Sequence, residues 1–132
     1  MFDETFRVCF ADTPFGVVLH QRIRYQVFCL DKGFEDPEVF SAAQETDAWD
    51  DQSAHFIVQN KNTRQWVAAT RVVLPKTGRP LPVDSLNAFD RSILDDPTTR
   101  VGEISRFCII SNRSQIEPSG ELEPEPNSLE AW

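Results

Sequence analysis

The chain has 132 residues, 40% of them apolar, which suits one domain of α/β or α+β type with enough chain to bury a core of its own. No apolar run approaches the ~20 residues needed to cross a bilayer, and the acidic start Met1-Phe2-Asp3-Glu4 lacks the basic-then-apolar pattern of a secretory signal, so a cytoplasmic protein is expected. The formal charge of −8 sits largely in residues 117–132, with five acidic and no basic residues; residues 1–116 hold 16 acidic against 13 basic, with no basic patch to suggest a nucleic-acid partner.

Thr5 to Phe10 reads as a first strand. Thr13 then stands where a helix N-cap should, with Pro14 at the first helical position. Leu19, Ile23, Val27 and Leu30 follow at helical spacing as a core stripe. Arg24 and Phe28, four apart, share a face on its flank. Lys32-Gly33 ends the helix, with Gly33 suited to the left-handed region. From Phe34 to Gln52 the pattern gives way to an acidic, proline-containing connection, and long ordered connections of this kind are usually functional. Within it lies Glu45-Thr46-Asp47-Ala48-Trp49-Asp50. The run is either a solvated acidic loop or part of a packed site; Trp49 favours packing, because an indole tends to draw its loop down.

Ala54–Gln59 and Trp66–Leu74 are β-rich runs joined by a polar hairpin segment. Arg71 lies inside the second, beside Ala69 and Val73 in period-2 alternation. It is either an edge residue with its guanidinium in water or a buried fork held by carboxylates. Three arginines in apolar contexts, Arg24, Arg71 and Arg106, favour the second reading. Residues 89–94 are expected to form a short helix. Val101–Ser111 is the next strand and carries Glu103-Ile104-Ser105-Arg106-Phe107. Glu103 and Arg106 are three apart, which in a regular strand means opposite faces, so a β-bulge near Ser105 is expected. Glu103, in an apolar strand and within reach of an arginine such as Arg71, is the candidate general base for an amine attacking a carbonyl.

The architecture predicted from these elements is α+β: a mainly antiparallel sheet with one long helix packed on it. Residues 1–114 form the domain and 115–132 an acidic Pro/Glu-rich tail. Cys9, Cys29 and Cys108 are odd in number and set in apolar segments, so reduced buried thiols are expected. With only His20 and His55 there is no metal-ligand spacing.

Arg24-Tyr25-Gln26-Val27-Phe28, the Glu45-x-Asp47-x-x-Asp50 loop, Ala69-Thr70-Arg71-Val72-Val73-Leu74-Pro75 and Glu103-Ile104-Ser105-Arg106-Phe107 resemble, in order, the signatures of the acyl-homoserine lactone synthases. They are more similar still to the N-acyl amino acid synthases and the exosortase (PEP-CTERM) system-associated acyltransferases. The similarity runs from about Phe6 to Ile110. It implies the N-terminal half of a Gcn5-related N-acetyltransferase fold, whose sheet splays beside its central strand to hold a pantetheine arm. It also implies transfer of a long-chain acyl group from acyl carrier protein or coenzyme A to a small amine, with no tightly bound cofactor.

By matching position, the resemblance implies an acceptor-side ionic and aromatic core of Arg24, Phe28, Asp47, Asp50, Arg71 and Arg106, with Glu103 catalytic and Glu45 a less certain member. Phe34 stands where the quorum-signal synthases carry Trp, which disfavours S-adenosylmethionine as the amine donor. No glycine-rich pyrophosphate loop follows Arg106; Asn112-Arg113-Ser114-Gln115 stands there instead. A tail in place of the further helix and strands leads to the expectation of a truncated homologue or one segment of a longer protein. A non-catalytic acyl-chain or carrier-protein binding module is the alternative from another class.

Overall fold

The computed structural model describes residues 4–86, 90 and 92–111. The tail expected over 115–132 and the start of the helix expected over 89–94 lie outside the described residues. Strand β1 (Phe6–Phe10) leads into helix α1 (Pro14–Arg24), strands β2 (Ser53–Asn60) and β3 (Trp66–Val73), the short helix α2 (Ser92–Asp95) and strand β4 (Glu103–Ile109). The sheet is antiparallel throughout, in the order β1-β2-β3-β4, and α1 packs on one face. This is the α+β arrangement predicted from the periodicities.

Thr13 caps α1 as expected, its Oγ1 accepting from the Gly16 amide at 3.0 Å, and Pro14 opens the helix. Beyond Arg24 the helix does not stop but widens into a π-helical stretch, Tyr25–Asp31, closed by the Lys32 amide donating to Val27 O at 2.9 Å. The wider turn changes the phase of the side chains. Leu19, Ile23 and Val27 are buried as predicted, but Leu30 is 54% exposed and Cys29 is buried instead. The expected four-member core stripe is therefore corrected to three, Leu19, Ile23 and Val27. Gly33, at φ +64, ends the segment, and the amides of Phe34 and Glu35 both donate to Phe28 O, folding the chain back over the turn.

The helix-facing side of the sheet carries Cys9, Ile57, Ala69 and Cys108, which meet Leu19, Ile23 and Val27 in the main core. All three thiols are free and buried. The opposite face keeps apolar residues in contact with water, notably Ile104, Phe107 and Ile109 on β4.

The β3–β4 pairing contains the expected bulge. Ala69 faces Cys108 and Arg71 faces Ser105, so three steps along β4 match two along β3. The extra residue falls at Arg106, which sits at φ +53. That left-handed conformation costs a non-glycine residue about 1–2 kcal/mol. It lets Ser105 and Arg106 project to the same, helix-facing side of the sheet.

Candidate functional site

The bulge, the end of α1 and the acidic connection meet in one ionic cluster. Arg24, on the last turn of α1, is fully buried; its Nε donates to Glu45 and its Nη1 to Asp50 Oδ1 at 2.5 Å. Arg71 is 1% exposed and donates through Nη1 and Nη2 to the two oxygens of Asp47, at 2.5 and 2.7 Å. Its Nη1 also reaches Asp50 Oδ1 at 2.7 Å and its Nη2 the Ser105 hydroxyl at 3.3 Å. Arg106 donates to Glu45 Oε1 from Nε at 3.2 Å and Nη2 at 3.0 Å, and its guanidinium lies 5.4 Å from the Phe28 ring centre. Arg24, Phe28, Glu45, Asp47, Asp50, Arg71 and Arg106 thus converge from four chain segments, and the solvated readings of Arg71 and of the acidic run do not hold.

Burial of isolated charges on this scale is costly, and mutual neutralisation by charge-assisted bonds is what permits it. Burial pushes the Asp50 carboxyl up, but the His55 hydrogen bond and the charge and hydrogen bond of Arg24 pull it far below the usual carboxylate range. Burial likewise opposes ionisation of Asp47, and the Arg71 fork overrides it, holding that pKa low. The same two carboxylates outweigh desolvation at Arg71 and raise its pKa. Asp47, Asp50 and Arg71 are therefore ionised across the physiological range.

Glu103 stands apart. Its Oε2 accepts from the Val83 amide at 2.8 Å, and among the described residues it pairs with none of the three arginines. The expected reach to an arginine such as Arg71 is corrected: Asp47 and Asp50 fill that fork. Period-2 alternation still puts Glu103 on the same face as Ser105 and hence Arg71. It lines a cleft with Leu81, Val83 and Val101. A cavity of about 690 Å³ lies not at the cluster but beside that cleft, between Leu74, Lys76, Leu81 and Arg100.

Three further residues adjoin the cluster. Glu35 comes within 3.6 Å of Arg106 Nη2 at the water-facing rim of the cluster. His55 Nε2 donates to Asp50 Oδ1 at 3.4 Å. His20, fully buried on α1, stacks edge-on against His55 with ring centres 4.7 Å apart and donates from Nε2 to Thr70 O at 3.0 Å. Burial, with the neighbouring His55 and Arg24, lowers its pKa to about 3. Period-2 and helical patterning do mark both histidines as inward-facing, but nothing in the sequence pairs them. Cys108 is a poor nucleophile, because burial lifts its thiol to about 11. Among the described residues no group of His, Cys, Asp or Glu side chains could hold a metal ion.

The family model of the acetyltransferase (GNAT) domain matches residues 23–115, which contain the whole cluster and β4. The chain belongs to the GNAT acetyltransferase family. Neither a curated protein nor a solved structure matches it. GNAT enzymes carry out acyl transfer from an acyl-coenzyme A co-substrate to an amine, without a tightly bound cofactor. Among the described residues no helix of this GNAT domain is long and apolar enough to cross a membrane.

Proposed function

We propose that this GNAT domain is an N-acyltransferase of the N-acyl amino acid synthase and exosortase-associated type. It moves a long-chain fatty acyl group from acyl carrier protein or coenzyme A to the amine of a small molecule, an amino acid being the best fit. The observation that carries this reading is the convergence of Arg24, Arg71 and Arg106 with Glu45, Asp47 and Asp50 beside the β4 bulge. The ordered motifs that resemble those acyltransferases supply all six of these residues. A rigid, polar and overall balanced wall suits orientation of a small charged acceptor. β4 is an edge of the sheet among the described residues. Its outer backbone amides and carbonyls are therefore where a pantetheine arm would lie, with exposed Phe107 and Ile109 as apolar support for an acyl chain. The segment after Ser111, which would meet a coenzyme A pyrophosphate, lies outside the described residues.

In this reading Arg24, Phe28, Asp47, Asp50, Arg71 and Arg106 shape the acceptor side, and Glu103 is the general base, acting through water from the same face of the sheet. Support for the base is its half-buried position and, among the described residues, one hydrogen bond to its carboxylate, on Oε2, which leaves Oε1 open. The test is incubation with acyl carrier protein and coenzyme A thioesters and a panel of amino acids. Thioester consumption should require an amine and yield an amide; consumption that never depends on an amine refutes the reading. An acyl-homoserine lactone synthase using S-adenosylmethionine is the second reading. Phe34, 73% exposed, stands against it, since the quorum-signal synthases have Trp there; lactone among the products would establish it.

A further inference from the structure

The cluster contains more negative charge than its arginines neutralise. Three guanidiniums face four carboxylates once Glu35 is counted. Three of those carboxylates are saturated. Glu45 accepts from Arg24 on Oε2 and Arg106 on Oε1. Asp47 accepts from Arg71 on both oxygens. Asp50 accepts from Arg24, Arg71 and His55 on Oδ1 and from the Asp47 amide on Oδ2. Glu35 differs. Its salt-bridge partner among the described residues, Arg106 Nη2, is 3.6 Å away, beyond hydrogen-bond range, and its side chain is 40% exposed. Among the described residues nothing donates a hydrogen bond to its carboxylate.

Glu35 is nevertheless held in place. Its amide donates to Phe28 O at 3.1 Å, at the end of the π-helical turn, next to the Phe34 amide on the same carbonyl. The π turn therefore sets a carboxylate with open acceptor sites over the Phe28–Arg106 stack, at the mouth of the cluster. Beside it, the guanidinium of Arg106, 27% exposed, gives Nε and Nη2 to Glu45, and among the described residues its Nη1 meets no acceptor. An open acceptor and an open donor side by side at the rim match a ligand with a cationic nitrogen and an oxygen acceptor.

We infer that Glu35 receives the ammonium group of the acceptor, and so determines specificity for primary amines that arrive charged. The ligand class is a small primary ammonium compound, favoured when it also carries a carboxylate that Arg106 can meet. This inference rests on the acyl-transfer reading for its biological meaning, but the binding step can be measured without any thioester.

Titration calorimetry of the full chain with n-propylamine, β-alanine and propionate, for the wild type, Glu35→Gln and Glu35→Asp, tests it. Gln keeps the size and removes the charge at a rim position, so folding is not at stake. β-Alanine and propylamine should bind the wild type and lose roughly tenfold or more in Glu35→Gln, the loss expected for one charge-assisted hydrogen bond. Glu35→Asp should recover part of that loss, and propionate should bind no more weakly to Glu35→Gln than to the wild type. Equal amine affinity in wild type and Glu35→Gln overturns the inference, as does a wild type that binds neither amine. Glu35-dependent amine binding in a protein that never transfers an acyl group leaves the inference standing and removes the acyl-transfer reading.

Discussion

The buried imidazole of His20 gives a prediction whose size can be worked out. His20 is held neutral in the folded chain to about pH 3, chiefly by burial, whereas in the unfolded chain it titrates at its ordinary 6.5. Between these values the unfolded state binds more protons than the native state, so stability rises with pH across the interval. The stability tied to the neutral ring is fully present above pH 6.5 and is lost as the pH falls from 6.5 towards 3. Each unit below 6.5 costs about 1.4 kcal/mol. Going from pH 7 to pH 5 should therefore remove about 2 kcal/mol through His20 alone. Asp47 and Asp50, held low by their arginines, stay ionised over that interval. The perturbation is His20→Gln, whose side-chain amide can still donate to Thr70 O but cannot titrate. Urea unfolding at pH 7 and pH 5, at fixed ionic strength, gives the change in stability for each protein. The wild type should lose about 2 kcal/mol more than the variant. Equal losses would mean that His20 is protonated alike in both states, and the buried neutral ring would be wrong.

Three further outcomes follow from the same geometry. Arg24→Met leaves Glu45 buried with Arg106 as its remaining partner and strips Asp50 of one arginine, and should cost about 3–5 kcal/mol in urea unfolding; a loss under about 1 kcal/mol would show that the cluster is not structural. Glu103→Gln keeps an oxygen able to accept from the Val83 amide, so it should unfold at the wild-type midpoint while turnover falls by about 10²–10⁴-fold; a drop in stability with turnover unchanged would make Glu103 a scaffold group. With Cys9, Cys29 and Cys108 all buried and Cys108 raised to about 11, thiol labelling at pH 7.5 should proceed only as the chain opens. Rapid labelling of folded protein by a neutral disulfide reagent would contradict that burial.

Local chemistry made much of the fold legible from sequence. Thr13-Pro14 announces a helix start because a hydroxyl and a missing N–H both suit the first turn, and the strands declare themselves by alternation. The bulge was legible from a contradiction, since two charged residues three apart cannot both face inward in a regular strand. What stayed hidden depends on relations no local pattern encodes. The helix stripe fails at Leu30 because the seven-residue π segment slips the phase, and Tyr25–Asp31 contains no proline or glycine to announce it. The absence of a Glu103–arginine pair reflects the partner choice of Arg71, which the packing of the distant acidic loop decides. Glu35 lies among Asp36 and Glu38 in a stretch without periodicity. Only the backbone hydrogen bond to Phe28 distinguishes it.

The cluster and the bulge explain each other. Arg106 in the left-handed region costs about 1–2 kcal/mol, and the chain needs a compensating reason to keep it there. That reason is Glu45, to which the bulged Arg106 donates from two nitrogens. Glu45, 1% exposed, would be expensive to bury on its own; it is affordable because Arg24 meets its other oxygen. Arg24 in turn shares Asp50 with Arg71, so the helix end, the acidic loop, β3 and β4 are tied by bonds that no one segment satisfies alone. A solvated acidic loop would leave Arg24 and Arg71 buried without counter-charges, and a regular β4 would turn Arg106 away from Glu45. The strained strand, the buried charges and the long ordered connection are therefore one requirement, and its effect is to hold guanidinium and carboxylate groups in a fixed arrangement.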